Sequence, residues 1–242
     1  MLPTWLIERG EAAAFVIVTA ALAISARLIA RVTGASARLV EDVYWTGGLL
    51  FLVIGRLAFV ATNSPGLVTD VAVLIRFTDG VDPLGGALAA LGWSLWRSRG
   101  GLDGPLWASS VAGLVLAAAV YDLACPVRAS CYGIAVTPPL GFSMHGLAEP
   151  RLPTPVIEGA VLLVLLGMMT RLLERWTAQR VAWALLTSLI MTRLAAFPLT
   201  VQGVPPVDAL ILSVAALVTA LLAMRSTPER AAPLPDAPAQ TS

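Results

Sequence analysis

Residues 105–125 read PLWASSVAGLVLAAAVYDLAC, an almost unbroken apolar run whose single side chain charged at neutral pH is Asp122. A bilayer core about 30 Å thick is crossed by roughly 20 apolar residues in an α-helix, where every backbone N–H and C=O is satisfied internally. The stretch therefore predicts a transmembrane helix. The same logic selects Ala12–Val32, Val43–Thr62, Leu84–Trp96, Thr154–Leu173, Val181–Leu199 and Val207–Met224. Leu84–Trp96 is short and opens on Pro83-Leu84-Gly85-Gly86, so it is tilted or is continued by Leu67–Phe77. The latter carries Asp70 and Arg76 and reads as an amphipathic interfacial or re-entrant piece. The expected fold is an all-α polytopic membrane protein with seven transmembrane helices in residues 1–225. A Pro/Ala-rich cytoplasmic tail, residues 226–242, is expected to be disordered.

The composition of the whole chain agrees with that reading. Of 242 residues, 57% are hydrophobic and 13% charged, with mean hydropathy +0.82; an ordinary soluble domain carries about 25% charge. So little polar surface cannot cover a water-soluble globule, which excludes a cytosolic enzyme, a disordered chain and a collagen-like one. The net charge of +1 leaves no basic excess for nucleic acid. All 16 basic residues are Arg. With the abundance of Ala this points to a G+C-rich bacterial genome, and the bacterial inner membrane is the expected location. The first segment is too long, too Ala-rich and too poor in a basic leader for a cleaved signal peptide.

Orientation follows from where Arg falls. With the N-terminus outside, the inward parts carry Arg27, Arg31, Arg38, Arg97, Arg99, Arg171, Arg175, Arg180, Arg225 and Arg230, and the outward parts Arg9, Arg76, Arg128 and Arg151. That imbalance favours N-out, C-in, and puts the long loop 126–153 outside.

Of the charged residues within the spans, four stand out: Arg56, Asp122, Glu158 and Arg193. Charge in hydrocarbon is costly and marks function by default. All four lie in the outward halves of their helices, and two plus two charges cancel. Two arrangements are open: buried ion pairs that lock helices together, or a polar cavity facing the outer leaflet that holds a phospholipid headgroup, which the planar Arg fork suits. Gly47-Gly48 reads as close helix packing; Gly85-Gly86 reads as packing or as a helix start presenting N–H groups to an anion. His145 is the one histidine, either a solvated loop residue or a proton acceptor. Cys125 and Cys131 are small packing residues, a structural disulfide, or a redox pair. Trp93, Trp96, Trp107 and Tyr44-Trp45 read as interfacial anchors, and Met168-Met169 as lipid-facing or core filler. Scattered carboxylates with one His and two Cys lack ligand spacing, so no metal and no cofactor is expected.

The order of these motifs resembles the prolipoprotein diacylglyceryl transferase family. Glu41-Asp42 with Gly55-Arg56-Leu57-Ala58-Phe59 is similar to that family's second span and its G-x-R-L-G-Y-like run. Phe77 to Gly86 resembles its W-x-G-G-x-x-x-H-G-G stretch. Cys125-Pro-Val-Arg-Ala-Ser-Cys-Tyr-Gly133 lines up with G-R-x-G-N-F-x-N-G-E-x-Y-G, and Pro150-Arg151-Leu152-Pro153-Thr154-Pro155-Val156-Ile157-Glu158 with R-H-P-S-Q-L-Y-E. Thr192-Arg193 falls where the family has an Arg on its sixth span. The family's histidine falls on Leu84, and its signature Arg, which meets the lipid phosphate, falls on Asp122. Its signature Asn, second Asn and Glu fall on Cys125, Arg128 and Ser130. Phe197 and Thr200 replace the sixth-span Glu and second Arg.

The resemblance implies a membrane enzyme that moves a diacylglyceryl group from phosphatidylglycerol to the lipobox cysteine thiol of a prolipoprotein. Such a reaction needs a proton acceptor for the thiol, in-line positioning and positive charge for the leaving glycerol phosphate. The implied substrate-binding residues are Arg56, Arg128, Tyr132, Gly133, Arg151 and Arg193, and the proton-acceptor candidates Asp122, Glu158 and His145. Expected partners are phosphatidylglycerol or another anionic phospholipid, a prolipoprotein signal peptide and the bilayer. Two alternatives stand beside it: a relative that binds a phospholipid or lipoprotein without transfer, and a membrane thiol oxidoreductase.

Overall fold

The computed structural model describes residues 10–75, 80–98, 104–128, 133–137, 139, 141, 149–199 and 206–225. The tail 226–242 lies outside them. The described chain is all-helical, with no strand and one isolated antiparallel bridge, Ala135 to Arg151. The helices are α1 (Gly10–Thr33), α2 (Ala37–Asn63), α3 (Val71–Ile75), α4 (Pro83–Arg97), α5 (Gly104–Leu123), α6 (Cys125–Arg128), α7 (Thr154–Leu173), α8 (Ala178–Ala196) and α9 (Pro206–Arg225). Every apolar segment named above is a helix. Four of them, α1, α2, α5 and α7, are long and apolar enough to cross a membrane. In α4 there are only 15 residues, about 22 Å at the α-helical rise.

Local sequence explains the breaks. Gly34 takes φ +76° after α1, a left-handed conformation that glycine adopts without steric cost. Ser36, in extended conformation, then starts α2. Asp82 starts α4: its Oδ1 accepts from the Gly85 N–H at 2.6 Å, and Pro83 occupies the first turn. That bond uses the N–H an anion at Gly85-Gly86 would need. Between α2 and α4 the piece expected to be interfacial is a 3₁₀ turn, Pro65–Leu67, and the single turn of α3.

The central helix is α5, which is buried all round over residues 106–113 and packs against α1, α7 and α8. Its surface is made of Ala108, Ser109, Ala112, Gly113 and Ala119, small residues that let backbones approach where no hydrophobic drive operates between helices. Gly113 is the tightest point: a Cβ there would lie 2.5 Å from the Tyr44 ring. The Tyr44 hydroxyl donates to the Ser109 carbonyl at 2.8 Å, and Thr33 and Ser109 share a hydroxyl contact at 2.6 Å, tying α1 and α2 to α5. α2 pairs with α4, where a Cβ at Gly86 would meet the Phe51 carbonyl at 2.7 Å. Gly85-Gly86 thus serves packing, whereas Gly47 and Gly48 have room for a methyl group.

The aromatic anchors divide. Trp45 and Trp96 are exposed. Tyr44 faces the interior, and Trp107 is a core residue, 2% exposed and tilted against Trp183 with ring centroids 5.2 Å apart. Met168 is exposed and Met169 buried.

Two glycines test this packing. Gly113→Val should cost about 1–3 kcal/mol by overpacking and lower the thermal midpoint in detergent. Gly92→Ala, in α4 with nothing within 4 Å of the added Cβ, should leave the midpoint unchanged or raise it slightly. Equal midpoints for the two variants would contradict the close α2–α5 approach.

Candidate functional site

Three of the four charges expected within spans form one cluster. Asp122 lies in the last turn of α5, Glu158 in the second turn of α7 and Arg193 in the last turn of α8. Gly159 brings α7 onto α5: a Cβ there would sit 2.7 Å from the Ala119 carbonyl and 3.2 Å from Asp122 Cβ. The neighbouring Glu158 therefore arrives beside Asp122. Arg193 Nη1 donates to Glu158 Oε2 at 2.7 Å and to Asp122 Oδ1 at 3.2 Å. Its Nη2 lies 2.8 Å from Asp122 Oδ2, a contact that is ionic rather than an aligned hydrogen bond. Asp122 and Glu158 are 4% and 6% exposed. Asp122 also has an interaction outside this trio.

Arg56 sits in a second setting, on α2 against the α2–α4 connection. It is 2% exposed. Nη1 donates to the Gly80 carbonyl at 2.8 Å and Nη2 to the Val73 carbonyl at 2.6 Å, and the guanidinium lies 5.4 Å from the Phe59 ring centre. The Asp82 N–H donates to the Gly55 carbonyl next door, at 2.9 Å. Arg56 therefore fastens the irregular connection, supplying charge-assisted donors to carbonyls that α3 leaves open.

The described ends of the long loop form a third setting. Gly133 N–H donates to the Leu152 carbonyl, Leu152 N–H to Ile134, Val136 N–H to Pro150, and Ile134 N–H to Leu199. Gly133 has no room for a side chain, since a Cβ would clash with the Leu152 carbonyl and with Thr154 Oγ1. Arg151 leaves this ladder with Nη1 on the Gly133 carbonyl at 3.3 Å. Its Nε is buried without a partner, and no carboxylate among the described residues lies within ion-pair distance.

Of the candidate site residues, the structure joins Asp122, Glu158 and Arg193, and separately Gly133 and Arg151. Arg56 belongs to the α2–α4 connection. Tyr132, His145 and Cys131 lie outside the described residues, as does the side chain of Arg128. Cys125 is disulfide-bonded, which sets aside the reading of two separate packing residues. Among the described residues no group of three or more His, Cys, Asp or Glu is placed to hold a metal ion. Two surface recesses are lined by Phe15, Val16, Thr19, Ala20, Ala23 and Trp45, and by Met168, Arg171, Leu172, Glu174 and Arg175. Neither includes Arg56, Asp122, Glu158 or Arg193. Reading the sequence missed Gly159 and the carbonyl partners of Arg56. A glycine directly beside a charge within a span was the usable signal for the former.

No protein-family model matches this chain, and no curated protein sequence matches it.

Removing Arg193 leaves two carboxylates without their cation in a buried site. Arg193→Leu should therefore cost about 3–5 kcal/mol, whereas replacing all three members (Asp122→Leu, Glu158→Met, Arg193→Leu) should recover most of that loss. Chemical denaturation in detergent measures both. A triple variant no more stable than the single one would show that the cluster is not a self-contained ion network.

Proposed function

We propose that this chain is a seven-span, N-out/C-in protein of the bacterial inner membrane. It uses a scaffold like that of the prolipoprotein diacylglyceryl transferases to bind an anionic phospholipid, with phosphatidylglycerol as the first candidate, and does not transfer the diacylglyceryl group. The observation that carries this is the engagement of Arg193 by Asp122 and Glu158 at 2.7–3.2 Å.

Transfer would break the bond between the glycerol carbon and its phosphate ester oxygen while the lipobox thiolate attacks that carbon. The departing glycerol phosphate would need a cation free to meet it. Arg193 already faces two carboxylates, so an arriving headgroup would have to displace one of them. Asp122 makes this worse by standing where the resembled family has its phosphate-binding Arg. At 4 Å and an effective dielectric of 20, exchanging a cation for an anion turns an attraction of about 4 kcal/mol into a repulsion of similar size. Asp122 Oδ1 and Glu158 Oε2 already accept from Arg193, and the adjacent cation makes either carboxylate a weaker acceptor for the thiol proton.

Arg151 is the better phosphate contact. Its guanidinium keeps donors unspent, it has no carboxylate beside it among the described residues, and its place in the loop 126–153 puts it outside under the proposed orientation. The resembled R-H-P-S-Q-L-Y-E run begins at this residue.

The test is expression in cells depleted of their own prolipoprotein diacylglyceryl transferase. The expected result is no rescue and no thioether-linked lipid on a lipobox reporter, although the protein inserts and phosphatidylglycerol co-purifies. Arg151→Gln should reduce the co-purified lipid several-fold. Rescue of growth with modified reporter would overturn the proposal and return Arg193 to a transfer site. A reporter fused after Ser242 that is active only outside the cell would overturn the orientation.

A further inference from the structure

The opposite end of α7 carries charge that the protein leaves unspent. Arg171, in the last turn of α7, and Arg175, in the turn that follows, line one recess with Met168, Leu172 and Glu174. Both arginines are exposed, and among the described residues neither has an ion pair, side-chain hydrogen bond or ring contact. The backbone keeps them aligned: the N–H groups of Arg175 and Trp176 both donate to the Leu172 carbonyl, at 3.0 and 2.8 Å. Arg175 thus continues the helical register one step past α7. The nearby Trp176 is exposed, with the Arg180 guanidinium 4.8 Å from its ring centre, an arrangement suited to the interface between water and bilayer.

The helix face leading to this recess is apolar and open. Ile157, Val161, Val164 and Met168 are exposed, Val164 by 64%. Their spacing of four, three and four residues continues by three to Arg171, so these five share one stripe of the helix, and Arg175 follows four residues on, in the turn after α7. From Ile157 to Met168 the stripe runs about 16 Å at the α-helical rise, close to the reach of an extended fatty acyl chain.

We propose that this stripe is a phospholipid site. The two guanidinium groups hold the phosphodiester, Glu174 accepts a hydrogen bond from an amine or hydroxyl of the headgroup, and one acyl chain lies along Met168, Val164, Val161 and Ile157. Two forks converging on one recess match a phosphate's oxygens. The carboxylate beside them favours a headgroup with a donor over one without. The site lies about 20 Å along α7 from Glu158, and it does not rest on the function proposed above.

The experiment uses the full chain carrying Arg151→Gln, so that the outer loop does not contribute. It is purified in nonionic detergent and mixed with equal amounts of phosphatidylethanolamine, phosphatidylglycerol and phosphatidylcholine of one acyl composition. Retained lipid is read by native mass spectrometry. The first two lipids should be retained roughly fivefold or more over phosphatidylcholine, which has the phosphate but no headgroup donor. Adding Arg171→Gln and Arg175→Gln should lower retention roughly tenfold, Val164→Gln should lower it several-fold, and Glu174→Ala should erase the preference against phosphatidylcholine. Equal retention of all three lipids before these changes, or unchanged retention after the double Arg substitution, would overturn the proposal. Displacement by an equal concentration of soluble glycerol phosphate would overturn the acyl track. Helical content and melting verify folding. If the double Gln variant fails to fold, Arg171→Lys with Arg175→Lys keeps the charge without the fork and should bind several-fold more weakly; unchanged binding there counts against the site.

Discussion

A charge placed in a low-dielectric interior must be met by the protein itself, and the cluster of Asp122, Glu158 and Arg193 is where this chain meets that demand. Each member comes from a different helix, so the ion contacts at 2.7–3.2 Å form only when α5, α7 and α8 are correctly aligned at one end. Close approach at Gly159 is a precondition, since the carboxylates share a cation only if α7 lies directly on the last turn of α5. The alignment passes outward to α9, which packs on α8 and shares a hydroxyl bond from Thr187 to Thr219 at 2.8 Å. Desolvating such a trio is expensive, and the compensation is specificity of register more than raw stability.

The same requirement is solved differently around Arg56. There the partners on view are backbone carbonyls of the connection between α2 and α4, a segment too irregular to satisfy its own acceptors. Non-helical backbone at membrane depth is tolerated where the protein covers it, and a buried guanidinium with donors fanned in a plane is an economical way to cover two carbonyls at once. The two arginines therefore act as fasteners, one joining helices and the other holding a loop.

What the sequence made legible follows from which properties are local. Length and apolarity of a segment are local, and all seven segments are helices; Thr154–Leu173 even has the same ends. Val181–Leu199 divides into α8 and a 3₁₀ turn, Phe197–Leu199, because Pro198 cannot continue the hydrogen-bond ladder. Which way a residue faces is not local. A tryptophan near a helix end has the same sequence context whether it meets lipid or core, so Trp107 read as an anchor although α5 is enclosed on all sides at that level. A helix apolar all round shows no periodicity that would have marked its buried faces. The choice of partner is less legible still. That Asp122 and Glu158 would both turn to Arg193 depends on three helices meeting, and carbonyl partners such as those of Arg56 leave no mark in side-chain composition.

The cluster also explains why chemistry and scaffold can separate in such a protein. Holding a phosphate and holding three helices together draw on the same guanidinium donors, and Arg193 offers five at most. With two carboxylates against its terminal nitrogens, its charge is already matched, and an anionic ligand would have to compete with them. Arg171 and Arg175 face no such competition, since neither has an ion pair or side-chain hydrogen bond among the described residues. On that physical ground, Arg56 and Arg193 are committed to holding the fold, whereas Arg171 and Arg175 are exposed and have no ion pair among the described residues.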